Sequence, residues 1–183
     1  MDDLWQAVAA AAAMLWHMDE RLVEIVALSL QVSLGAVAVS AIIGMPLGAV
    51  IALRRFPGRR VLIVGFNALM GLPPVVVGLV VYLLVSRSGP FGVLGLLFTP
   101  TAMVIAQVIL VVPIITALTR EILETLWREY DEALRSLAAS WPQALLALLW
   151  DGRHMLLTAL LAGFGRAIAE VGAVMIVGGN IDH

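Results

Sequence analysis

From Tyr130 the chain reads Tyr130-Asp131-Glu132-Ala133-Leu134-Arg135-Ser136-Leu137-Ala138-Ala139-Ser140, and further on Gly163-Phe164-Gly165-Arg166-Ala167-Ile168-Ala169-Glu170-Val171-Gly172-Ala173. The first stretch is a polar island on a very apolar protein. The second sets an Arg and a Glu inside a hydrophobic run from Met155 to Val177. A helix needs roughly 20 apolar residues to cross the hydrocarbon core of a membrane, and this run is long enough. Three more segments qualify: Ile25 to about Leu53, Val61–Val85 and Thr101–Leu118. The expected fold class is therefore all-α integral membrane, with about four transmembrane helices in this chain. Pro46 predicts a bend or an end in the first span. Pro73-Pro74 interrupts the second, and Pro113 lies in the third.

Composition agrees. Hydrophobic residues make up 62% and charged residues 13% of the 183, which is membrane composition. There is no Cys, hence no disulfide framework and no thiolate metal site. His17, His154 and His183 are scattered, without acidic partners at metal-ligand spacing. The net charge of -2 is evenly mixed and unlike a nucleic-acid-binding surface. All eleven basic residues are Arg. A phosphate-binding loop of the usual kind needs a Lys, so any ATP that drives this protein is hydrolysed on another chain, and no cofactor is expected on this one.

The arginines predict the topology. Arg54, Arg55, Arg59 and Arg60 crowd the link between spans one and two; Arg120, Arg128, Arg135 and Arg153 lie between spans three and four. The positive-inside rule places both links in the cytoplasm and both termini outside. Leu4–Trp16 is too short to span and reads as an interfacial segment with Trp5 and Trp16 at headgroup level. Phe91, Leu94, Leu96, Leu97 and Phe98 make the outer link apolar enough to dip into the interface, between turn residues Gly89-Pro90, Gly92 and Gly95.

The link from Arg120 to Arg153 is charged yet helical in period. Ile122, Leu126 and Tyr130 recur on one face, Glu124 and Arg128 stand in the favourable order for a pair, and Ser140-Trp141-Pro142 reads as a cap and first turn. Two short helices with a tight corner fit, presenting a compact knob; an ordinary solvated loop fits the spacing as well. In the last span Arg166 and Glu170 are one turn apart and can pair, which lowers the cost of placing charge in a membrane helix. Two readings stay open: a packing lock against neighbouring spans, or part of a polar pathway where Arg166 attracts an anion. Small residues at 163, 165, 169, 172 and 173 allow close helix approach, and Gly178-Gly179-Asn180 predicts the helix end. Pro73-Pro74 reads either as a plain packing kink or as a broken helix near a gate. Ser29, Ser33 and Ser40, at helical spacing, read as packing groups.

These motifs resemble those of a known family. The polar island is similar to the cytoplasmic signature of ABC-importer permeases, which begins Glu-Ala-Ala with a Gly six residues after the Glu. Glu132 and Ala133 match, Leu134 replaces the second Ala, and Ala138 stands at the Gly position. The later Ile-x-Leu-Pro falls on Leu148, Leu149, Trp150 and Asp151, so its Pro is missing. The string from Gly165 to Asn180 resembles tungstate-importer permeases almost residue for residue. Gly71-Leu72-Pro73-Pro74 with Ser86-Arg87-Ser88-Gly89-Pro90 again resembles tungstate and molybdate permeases. The matches run from about Val23 to Asn180.

The resemblance implies one transmembrane permease domain over residues 1–183 with a type I ABC-importer-like fold. It also implies a homodimer in a bacterial or archaeal cytoplasmic membrane, a separate ATPase, and an external oxyanion-binding protein. Asp131, Glu132, Ala133, Ala138 and Ser140 would couple to the ATPase. Pro73, Pro74, Arg166, Glu170, Gly172 and Asn180 would line or support the pathway. Such permeases continue past Gly-Gly-Asn with another span, so a further span is expected beyond His183. Tungstate is the expected cargo; molybdate, sulfate or another anion is the alternative. From other classes, a secondary transporter or channel and a non-transporting scaffold are the rivals.

Overall fold

Thr99 and Pro100 start the helix on which the molecule is assembled. In the computed structural model, which describes residues 20–170 and 176–178, the Ala102 N–H donates to Thr99 Oγ1 at 3.4 Å. Pro100 follows in the first turn, where a missing amide donor costs nothing. In chain order the helices are α1 (Glu20–Leu53), α2 (Arg59–Met70), α3 (Pro74–Val85), α4 (Pro100–Ser136), α5 (Trp141–Asp151) and α6 (Arg153–Ala169), with a 3-10 turn at Gly92–Leu94. Residues 176–178 are again helical, and no strand occurs among the described residues.

α4 is longer than a membrane is thick. Its first 20 residues, Pro100 to Thr119, carry no charge and at 1.5 Å per residue extend about 30 Å, the thickness of the hydrocarbon core. Arg120 to Ser136 then continue the same helix as a charged stem roughly 25 Å long. The expectation of two short helices in this link is corrected: the first is the end of α4, because nothing after Thr119 breaks it. Pro113 sits inside the helix without ending it, and Pro46 likewise lies within the unbroken α1.

Two of the four expected spans are not single helices. α1 and α4 are each long and apolar enough to cross a membrane; the α2–α3 pair and the α5–α6 pair qualify only if each bent pair counts as one span, and α5 lies before the expected fourth span, Met155 to Val177. Between α2 and α3 the axis turns by 99°. Consecutive prolines hold Leu72 and Pro73 out of the helical region, and Pro73 is extended at φ -64°, ψ 128°. α2 closes instead through Gly71 N–H to Ala68 O and Leu72 N–H to Leu69 O, at 3.1 and 3.2 Å. α2 has no buried residue and at 12 residues is too short to span alone. The last run also differs: α6 ends at Ala169, and Glu170 leaves the helix at φ -90°, ψ 83°. Gly172, Gly179 and Asn180, like the Leu4–Trp16 segment, lie outside the described residues.

α1 and α4 pack most closely at Gly44 and Gly48. A Cβ on Gly48 would lie 2.7 Å from Thr116 O and 2.8 Å from Thr119 Cβ; one on Gly44 would meet Ile115 and Thr116 at 3.1 Å. This small-xxx-small pair lets backbones approach where lipid supplies no hydrophobic drive between helices. Ser33 and Ser40 are buried as packing groups, while Ser29 is exposed. Along α4 three apolar clusters follow in order. Ala102, Ala106 and Leu110 meet Val77, Val81 and Val85 of α3 and also Val177. Val111 and Ile115 meet Ala167, Val37 and Met45. On the stem, Leu123 and Leu126 meet Ala49 and Leu148, flanked by Leu53, Tyr130 and Leu145. The link between α3 and α4 folds tightly, with Gly89 and Gly92 pressed on the carbonyls of Leu83 and Ser86. It displays Phe91, Val93, Leu94 and Phe98 on its surface.

Candidate functional site

The polar island is the tip of the stem. α4 ends in a Schellman turn: Ala138 N–H donates to Arg135 O, and Ala139 N–H to Leu134 O, both at 3.0 Å. Ala138 takes the left-handed conformation this turn requires, φ 49°. The next helix begins two residues later, where the Ser140 N–H donates to Gln143 Oε1 at 2.9 Å and Pro142 sits in the first turn. Asp131, Glu132, Ala133, Ala138 and Ser140 are thus gathered on one corner. All but the half-buried Asp131 are exposed. Arg135 Nε bonds Asp131 at 2.7 Å, whereas Glu132 has no ion pair among the described residues.

The return from the corner lacks the signature's Pro, and Gly152 takes its place. The α5 and α6 axes meet there at 70°. A Cβ on Gly152 would lie 2.8 Å from Leu126 Cδ1 and 2.9 Å from Leu148 O, so only Gly lets this bend press against the stem. Leu148, at the signature's Ile position, is 1% exposed and holds α5 to the stem. The Asp151 carboxylate pushes the Tyr130 phenol's pKa up, with Glu129 adding to the effect.

The base of the stem is bound by charge. Glu124 pairs with Arg120 at 3.0 Å and with Arg59 at the start of α2, not with Arg128 as the spacing predicts. Arg59 reaches from another helix, and its Nε also donates to Ile51 O at 2.6 Å, one of the α1 carbonyls left without an intrahelical donor. These contacts bring both Arg-rich links to the same end of the helix assembly.

The second region is the end of α6. Arg166 Nη2 lies 3.2 Å from Glu170 Oε2; the Glu170 side chain is 8% exposed and that of Arg166 37%. Arg166 stands in the last helical turn, where a cation also meets the negative end of the helix dipole. The pair therefore closes a helix end rather than sitting at mid-helix. Gln107, absent from the sequence reading, lies beside it. Its Nε2 donates to Ala167 O at 3.1 Å, a terminal carbonyl of α6. The signal was there to read: Gln107 is the lone amide side chain between Pro100 and Thr119. Pro73 and Pro74 form the break between α2 and α3, while Gly172 and Asn180 lie outside the described residues. No cluster of metal-binding side chains occurs among the described residues, and His154 is exposed.

Comparison with known proteins bears on both regions. Residues 44–181 match the family described as binding-protein-dependent transport system inner membrane component. A probable anion ABC transporter permease protein of Haloferax volcanii is 43% identical over 87% of this chain and 69% of the relative. The tungstate uptake system permease protein TupB of Peptoclostridium acidaminophilum is 38% identical over 99% of this chain and 79% of that protein. The sulfate transport system permease protein CysW of Synechocystis is 30% identical over 84% and 58%. The all-helical architecture, the corner and these matches together make the chain a member of the inner-membrane permease family of binding-protein-dependent ABC transporters.

Proposed function

We propose that this chain is the translocation subunit of an ATP-driven oxyanion importer, with tungstate as cargo. The single observation that carries the reading is the polar corner, held about 25 Å beyond the uncharged part of α4 by a continuous helix. A stem of that length can move with a partner outside the membrane and displace helices inside it. Asp131, Glu132, Ala133, Ala138 and Ser140 dock a separate ATPase, which hydrolyses the ATP. Arg166, with its open side, offers the anion a charge, while Glu170, Pro73, Pro74, Gly172 and Asn180 line or support the path. Two copies form the pore, the Arg-rich links face the cytoplasm, the N-terminus lies outside, and an external binding protein delivers the anion.

Tungstate is preferred because the tungstate permease relative matches over nearly the whole chain. Sulfate, carried by more distant relatives, is the second reading. The test is reconstitution of the permease with its ATPase and binding protein in liposomes, with uptake of tungstate, molybdate and sulfate measured side by side. ATP-dependent tungstate uptake that exceeds the other two is expected. Uptake of sulfate alone overturns the cargo, and failure of any ATPase to co-purify overturns the coupling role. Single Cys residues at Ser140 and Ser88, in a chain that has none of its own, test orientation. An impermeant thiol reagent added to intact cells should label position 88 and spare 140.

A further inference from the structure

The corner is carried by the stem on one side and by α5, which returns the chain to α6, on the other, and it is also tied to α1. Arg54, just past the end of α1, sets its guanidinium carbon 4.7 Å from the centre of the Trp141 ring. Trp141 is the first residue of α5 and the immediate neighbour of Ser140. A guanidinium over an indole face is attracted by the ring's quadrupole, and Arg adds planar stacking that Lys cannot match. At the base of the stem, Arg59 holds both Ile51 O and Glu124, and Glu124 also holds Arg120. Between these polar ties lies the apolar cluster of Ala49, Leu123, Leu126 and Leu148.

The apolar cluster holds the stem to α1 and α5 along much of its length, but hydrophobic contact is non-directional, so it leaves part of a push at the tip to be lost in sliding. A directional contact at the first residue of α5, beside the tip, limits that loss. We propose that Arg54 is a positioning residue of the coupling machinery: stacked on Trp141, it braces the corner to α1, so that corner, stem and first span move as one body. Arg59 and Glu124 form the lower joint of the same brace. The inference rests on the coupling role given above to the corner.

Two measurements test it, the first without any cargo. Spin labels on single Cys residues at Arg55 and Ser140, in the permease–ATPase complex, report the distance across the brace with and without trapped ATP. A narrow distribution that keeps its position on ATP trapping is expected, with Arg54→Ala broadening it and Arg54→Lys restoring part of the order. The second measurement is tungstate imported per ATP hydrolysed in proteoliposomes. Arg54→Ala and Trp141→Ala each lower that ratio about two- to fivefold, the population shift that loss of an exposed cation–π contact permits. The double variant falls no further, and Trp141→Phe, which keeps an aromatic face, stays near the wild type. A narrow distance and an unchanged ratio in Arg54→Ala overturn the brace. A wild-type complex that hydrolyses ATP without importing tungstate counts against the proposed cargo instead, and the distance measurement still decides the brace.

Discussion

Replacing Ala138 by Gly should stabilise the corner. Ala138 is the residue after the α4 C-cap, at φ 49°, where an L side chain brings Cβ against the following carbonyl at a cost of about 1–2 kcal/mol. Its side chain is exposed, so removing the methyl sacrifices no packing. Glycine loosens the unfolded chain, which takes back about 0.4–1 kcal/mol. The net gain is then about 0.5–1 kcal/mol, or roughly a two- to fivefold change in the opening equilibrium of the turn. Hydrogen exchange followed by mass spectrometry over the peptide spanning 130–145 reads this directly, because the Ala138 and Ala139 amides are the two donors of the Schellman turn. Both should exchange two to five times more slowly in Ala138→Gly. Ala138→Val, a β-branched residue in the same conformation, should exchange faster than wild type. Faster exchange in the Gly variant, or no change in the Val variant, would refute a left-handed turn at this corner.

Gly48→Ala puts a methyl group against Thr116 O and Thr119 Cβ; backbone cannot yield there, so a loss of about 1–3 kcal/mol should lower the melting temperature of the detergent-solubilised protein, whereas Gly65→Ala, with open space around it, should not. Arg166→Met leaves the enclosed Glu170 carboxylate alone, at a cost of about 1–3 kcal/mol. Glu170→Gln should cost less because Arg166 keeps an open side; equal losses in thermal stability would contradict that asymmetry, and a double variant that is stable yet still imports tungstate would remove Arg166 from the pathway. Asp151 raises the Tyr130 pKa by favouring the neutral phenol. The corner therefore keeps this contribution below the ordinary phenol value of about 10 and loses it as pH rises through the higher folded value. Since Tyr82 is the sole other tyrosine, an absorbance titration of wild type against Tyr130→Phe isolates the phenol, and a midpoint at or below the ordinary value would contradict the influence of Asp151.

Membrane class, the approximate position of each apolar run and the polar island were legible in the sequence, because they depend on local composition and on spacing along one helix. The Arg166–Glu170 pair was legible for the same reason: residues four apart on a helix are neighbours whatever surrounds them. The break at Pro73-Pro74 was readable as well, since two missing amide donors act locally. Its 99° angle was not, because the direction taken after a break is chosen by what α3 packs against. The same limit explains Glu124. Sequence offered it Arg128, but only the tertiary structure brings Arg59 from 65 residues away, and a charge supplied by another helix outweighs a favourable local spacing. Gly44 and Gly48 look like any membrane glycines until Thr116 and Thr119 lie across them, and Gln107 acquires its part only where the end of α6 brings the Ala167 carbonyl to it. Sequence by itself thus determined which segments are helical and apolar. Tertiary structure decided which charges meet, which glycines are irreplaceable and where the corner is braced, because those depend on backbones approaching from distant parts of the chain.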